Sequence, residues 1–148
     1  MKGSTFYEMG INNTIQGRIM KILIAYDENI STSKVLDEAL LRAKRLGAYV
    51  YLARTSAPDT KLQTIKRLES QLSELGQEMF VNNGVECETH VLIRGLAPGE
   101  DIVWYAKEKQ VDEIVIGIKK KSKVGKLVFG STAQYIILEA HCPVLSVK

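Results

Sequence analysis

Residues 113–148 read EIVIGIKKKSKVGKLVFGSTAQYIILEAHCPVLSVK, and the reading of this stretch decides the fold. EIVIG (113–117) is a short apolar run of the kind a strand buried on both faces needs. A basic, glycine-containing loop follows. Gly130 and Ser131 then open a helix-like segment that stops at Pro143, and PVLSV (143–147) is a second apolar run of strand length. A helix start leaves its first N–H groups unpaired and carries partial positive charge, so a glycine just before it lets an anion approach closely. The hydroxyl of Ser131 or Thr132 is placed to cap that helix or to donate to the anion.

The same alternation runs upstream. IMKILIAY (19–26) is an apolar run broken by one lysine, suited to a doubly buried strand. Residues 31–46 carry Val35, Leu36, Ala39, Leu40, Ala43 and Leu46 at helical spacing, with Gly47 as the stop. AYVYLA (48–53) is the second strand. Residues 60–82 repeat the helical pattern through Leu62, Ile65, Leu68, Leu72, Leu75 and Met79, and Asn82-Asn83-Gly84 ends it. CETHVLI (87–93) is the third strand, and residues 99–109 form a helix bearing Ile102, Val103 and Ala106. With EIVIG fourth and PVLSV fifth, five strands separated by crossover helices predict an α/β fold with a doubly wound, mainly parallel sheet.

Size and composition agree with one domain. The chain has 148 residues, of which 45% are hydrophobic and 25% charged, enough to bury a substantial core and unlike a disordered chain. No apolar run approaches the ~18 residues of a membrane span, and no basic region precedes a long apolar core as in a secretory signal. Cys87 and Cys142 are isolated in apolar surroundings and read as reduced structural residues of a cytoplasmic protein. Residues 1–18, MKGSTFYEMGINNTIQGR, are polar and follow neither hydrophobic period; they read as a flexible extension ahead of a single domain at 19–148.

Gly117 followed by Gly130-Ser131 at this spacing resembles the universal stress protein family, whose nucleotide-binding members carry Gly-x2-Gly-x9-Gly-Ser/Thr. The second glycine of that pattern is Lys120 here. AYDENISTSKVLDEALLRAKRLGAYVYLAR (25–54) and RGLAPGEDIVWYAKEKQVDEIVIG (94–117) resemble other parts of the family, so the likeness covers the chain from about Met20 to Lys148. It implies an adenine nucleotide alpha hydrolase-like sheet of order 3-2-1-4-5, with a switch point between strands one and four where ligands sit at the carboxyl ends. It also implies an ATP or AMP site, the nucleotide serving a regulatory or stress-response module. Ala25 and Tyr26 would lie against base or ribose through their backbone, and Asp27 beside the nucleoside and a Mg ion. Arg54 and Thr55 stand where relatives often carry a histidine and an apolar residue that touch the base. Gly117, Lys120, Ser122, Gly130, Ser131 and Thr132 would surround the phosphates. Relatives pair the fifth strand with its copy across a two-fold axis, which implies a homodimer through Pro143, Val144, Leu145, Ser146 and Val147.

Several residues carry two readings. Lys119, Lys120, Lys121, Lys123 and Lys126 either supply ammonium groups to phosphate or face solvent. Asp27 is either a ligand or a turn residue before the helix. Lys120, Arg54 and Thr55 together support an alternative, a universal stress protein without nucleotide that acts through homodimerisation and protein partners. Gly125-Lys126 fails as a Walker loop, since Lys120 stands where the upstream glycine belongs and Leu127 where Ser or Thr belongs. His90 and His141 have no partner at ligand spacing, no nucleophile elbow or catalytic pair is present, and Trp104 reads as core. These features predict no catalytic residues and at most weak ATP hydrolysis. The net charge of +3 comes without aromatic residues among the lysines, which argues against a nucleic-acid surface.

Overall fold

The computed structural model describes residues 14–15, 17–30, 32–119, 125 and 129–148. Five strands, β1 (Lys21–Ala25), β2 (Tyr49–Thr55), β3 (Cys87–Leu92), β4 (Glu113–Gly117) and β5 (Val144–Val147), form one sheet in the order β3-β2-β1-β4-β5. Every pairing in it is parallel, with Ile22 opposite both Val50 and Glu113, and Val115 opposite Leu145. Helices α1 (Thr32–Leu46), α2 (Leu62–Met79), α3 (Pro98–Lys109) and α4 (Ser131–Glu139) connect them. The chain steps outward from β1 to β3, returns to β4 and steps outward again to β5, so its reversal lies between β1 and β4.

The two-residue period of the strands divides the apolar side chains between two cores. Ile22, Ile24, Val50, Leu52 and Val115 meet Val35, Leu36, Ala39, Ala43 and Leu72 of α1 and α2. Leu23, Tyr51, Ala53, Ile114 and Ile116 meet Ile102, Val103, Ala106, Ala133 and Ile136 of α3 and α4. Covering on both faces is why the strands read as continuous apolar runs and not as alternating ones. Glu113 is the exception inside β4. It faces α1, where Arg42 donates from Nε and a terminal nitrogen to its two carboxylate oxygens, so the buried charge is paired.

Some boundaries move for local reasons. The first strand begins at Lys21, not at Ile19, because Arg18–Ile19 pairs antiparallel with Thr14–Ile15 and Ile19 is half exposed. The second helix begins at Leu62, not Thr60, because the Thr60 N–H and hydroxyl both donate to Ala57 O and close a turn. It ends at Met79, where Phe80 turns inward to full burial and a short 3-10 segment, Val81–Asn83, leads to Gly84 in the left-handed region. Trp104 corrects the sequence reading: at 58% exposure it is not core, because Ile102, Val103, Tyr105 and Ala106 take the inward positions of α3. Among the described residues no helix is long and apolar enough to cross a membrane.

The amino end of the sheet is tied by ions. Arg18 donates two hydrogen bonds to the Asp112 carboxylate, which also accepts the Lys21 N–H at 2.8 Å, and Lys21 Nζ reaches Lys109 O at 3.1 Å. Burial opposes ionisation of Asp112, but the Arg18 guanidinium and the Lys21 N–H outweigh it and hold the carboxyl below the usual aspartate value. A folded-state value below the unfolded one means that the stabilisation is present above the ordinary aspartate pKa of about 3.9 and is lost as pH falls through the folded value. Asp112→Asn is therefore expected to lower the melting temperature by roughly 2–4 °C at pH 7, the shift that about 1 kcal/mol produces in a domain of this size. In thermal scans across pH the difference from the parent chain should shrink below about pH 4.

Candidate functional site

At the carboxyl ends of the strands, where the order reverses, a cleft of about 220 Å³ opens. Ala25 lines it from the end of β1, Asp27 and Ile30 from the loop between β1 and α1, Ile116 and Gly117 from β4, Ile118 and Lys119 from just beyond it, and Gly130, Ser131 and Thr132 from the start of α4. Two other depressions, of about 320 and 850 Å³, lie round Ile19 at the amino ends of the strands. They are larger, but no helix begins in them, whereas open parallel sheets bind ligands at the carboxyl ends.

The α4 start stands at the mouth of the cleft. Gly130 is the N-cap in extended backbone (φ −65°, ψ 159°), its carbonyl accepts the first helical bond from the Gln134 N–H, and among the described residues no side chain caps the helix. Among the described residues no side chain takes the capping role, and Ser131 and Thr132 line the cleft beside the first N–H groups of α4. A Cβ built on Gly130 meets nothing within 4 Å. Lys119 is the exposed cation that lines the cleft among the described residues.

Gly117 has the opposite environment. A Cβ there would stand 2.7 Å from Ile30 Cγ2 and 2.9 Å from Val35 Cγ2. Those methyls hang directly on branched carbons and cannot swing away, so the glycine is what lets the β1–α1 loop close against β4. Within that loop Asp27 Oδ1 accepts the Asn29 N–H at 2.9 Å, Asp27 O accepts the Ile30 N–H at 3.2 Å, and the Thr32 hydroxyl donates to Ile30 O at 2.6 Å. Asp27 is therefore a turn residue that also lines the cleft; one carboxylate oxygen holds the turn.

Tyr26 adjoins the cleft through a small recess it shares with Ala25, Asp27 and Gly117. Its N–H donates to Ala53 O at 2.8 Å, and there the ladder between β1 and β2 stops. The Tyr49 N–H goes to Met20 O and the Val50 and Ser56 N–H groups go to the β3 side, so the Thr55 N–H is aimed at β1, where no described backbone acceptor pairs with it. Thr55 itself does not line the cleft. Lys120 and Ser122, with Lys121, Lys123 and Lys126, lie outside the described residues. Among the described residues no cluster of three or more metal-ligating side chains occurs. His90 Nε2 lies 2.7 Å from Glu88 Oε2 and His141 Nε2 3.0 Å from Val111 O, both away from the cleft. Burial pushes the thiols of Cys87 and Cys142 up to about 12 and about 11, which keeps them protonated and unreactive at neutral pH. Sequence reading missed Ile30; its signal was an apolar residue just ahead of a helix start.

Residues 18–148 match the universal stress protein family. The chain belongs to that family. A universal stress protein from Archaeoglobus fulgidus has 37% sequence identity and a TM-score of 0.75, covering 87% of this chain and 98% of its own. A structure of the universal stress protein from the same organism in complex with dAMP has 33% identity and a TM-score of 0.72 over the same shares. A universal stress protein from Thermus aquaticus is 29% identical over 134 residues, 86% of this chain and 97% of its own length. The two Archaeoglobus fulgidus structures share the five-stranded parallel sheet with helices on both faces.

The two glycines of the cleft separate packing from access. Gly117→Ala should cost about 1–3 kcal/mol through forced displacement of Ile30 and Val35. Gly130→Ala should stay within about 1 kcal/mol of the parent, since the poorer N-cap is offset by a less entropic unfolded chain. Urea denaturation of the three proteins checks the contrast.

Proposed function

We propose that this universal stress protein binds an adenine nucleotide, ATP or AMP, as a regulatory or stress-response module. The observation that carries the reading is the α4 start: N–H groups with no cap among the described residues, a glycine N-cap with open space before it, and the Ser131 and Thr132 side chains on the cleft, all at the reversal point of a parallel sheet. A relative of 33% identity whose structure is in complex with dAMP supports the choice of base. On this reading the phosphates lie at Gly130, Ser131 and Thr132 with Lys119 as a counter-charge, and Asp27 faces the nucleoside and is the residue available to a Mg ion. The Thr55 N–H and the carbonyl of Tyr26 supply backbone partners for the base end. The expected activity is binding, with at most weak ATP hydrolysis.

Gly130→Val tests the reading. The extended backbone at Gly130 suits valine and a Cβ there meets nothing within 4 Å, so the added methyls stand where a ligand would enter the cleft. Titration with a fluorescent ATP analogue should show binding by the parent chain and none by the variant, with coincident melting curves. Unchanged affinity would remove the α4 start from the site.

We further infer a homodimer through β5. This strand pairs with β4 on one side only, Leu145 and Val147 are half-buried, and Ile137 and Leu138 of the preceding helix are exposed at 41% and 74%. A bare apolar edge is a template for another strand, and an isologous contact satisfies two such edges at once. Leu145→Asp should shift the chain toward monomer in sedimentation velocity by placing a carboxylate in that contact; a monomeric parent chain would overturn the inference.

A further inference from the structure

Arg54 is a cation in an unusual place. It follows Ala53 at the end of β2, on the face that carries Tyr26 and Val91, and its side chain is only 17% exposed. Its guanidinium carbon lies 6.0 Å from the centre of the Tyr26 ring, and a terminal nitrogen lies 3.6 Å from Glu28 Oε1. Nε is buried with no hydrogen-bond partner. Taking a guanidinium out of water is costly, and what compensates it here is one aromatic face and one carboxylate. Both belong to the β1–α1 loop, one residue before and one residue after Asp27.

That loop is braced internally by the bonds within Asp27, Asn29, Ile30 and Thr32, so a pull on Tyr26 and Glu28 moves Asp27 with them. Its far end is seated against Gly117 through Ile30. We propose that Arg54 is a positioning residue of the nucleotide site: by holding Tyr26 and Glu28 toward β2 it sets where Asp27 stands in the cleft. The inference rests on the nucleotide reading and adds to it a residue that does not line the cleft. It also gives Arg54 a place in the nucleotide reading.

The test compares the parent chain, Arg54→Ala, Glu28→Gln and the exchange Arg54→Glu with Glu28→Arg. Each is titrated with ATP, and its backbone hydrogen exchange is followed by mass spectrometry. Arg54→Ala should weaken ATP binding by about tenfold, the loss of one partly desolvated cation–π and ion-pair anchor. Exchange should accelerate at residues 26–30 and stay unchanged at residues 134–139 of α4, where the N–H groups are bonded within the helix. Glu28→Gln should give a smaller loss in the same direction, and the exchange variant should recover affinity relative to Arg54→Ala. Should Arg54→Ala fail to fold, the exposed Glu28→Gln carries both measurements. ATP affinity and loop exchange both unchanged in Glu28→Gln and Arg54→Ala would overturn the inference alone. Equal acceleration in the loop and in α4 would also overturn it, as the mark of general loosening. A parent chain that does not bind ATP would overturn the nucleotide reading and this inference with it.

Discussion

The missing side chain of Gly117 is the constraint on which the site depends. Any Cβ at the end of β4 would collide with Ile30 and Val35. Without one, the start of α1 and the loop before it close onto the strand that lies beside β1 in the sheet. The same contact seals the upper end of one core and forms one wall of the cleft. Packing and function therefore share a single atom's worth of space. The glycine is explained by close packing before any ligand is considered, and no positive φ is involved.

Around that contact the two ends of the sheet are built differently. The amino end is tied by charge: Asp112 gathers Arg18 and the Lys21 N–H, and Lys21 reaches a carbonyl at the end of α3. Nearer the middle, Arg42 neutralises Glu113 from α1. The carboxyl end, among the described residues, is left with unpaired donors. The β1–β2 ladder stops at Ala53, the Thr55 N–H faces the gap, and α4 starts without a cap. Unpaired backbone groups cost free energy when buried and are tolerated where water or a ligand reaches them. Their concentration at one end follows from the reversal of chain direction between β1 and β4, since neighbouring loops there turn to opposite faces and cannot cover the gap.

Much of this was legible in the residues, for stated reasons. Apolar runs such as EIVIG and YVYLA can only be strands covered on both faces, and the helical stripes between them forced parallel pairing. The site was legible where backbone chemistry marks the sequence, at Gly117 and at Gly130-Ser131. It was not legible where a residue acts through space. Ile30 lines the cleft only because α1 lies over β4. Arg54 shares a face with Tyr26 only because β1 and β2 are neighbours in register. Trp104 looked like core because size and apolarity favour burial, yet its angle on α3 sends it outward.

The sequence by itself determined the class of fold, the number of layers and the glycine-led start of the last helix, because these follow from periodicity and from local backbone freedom. Residues that meet only after folding were decided by the tertiary structure. It set the pairing of Asp112 with Arg18, the seating of Ile30 on Gly117, and the contact of Arg54 with the loop that carries Asp27. The strand order, implied by resemblance and realised as β3-β2-β1-β4-β5, belongs to the same group. Periodicity tells each element which face to bury, but not which neighbour will cover it. That choice depends on crossover handedness and on side-chain volumes meeting across the sheet, and neither is written at any one position of the chain.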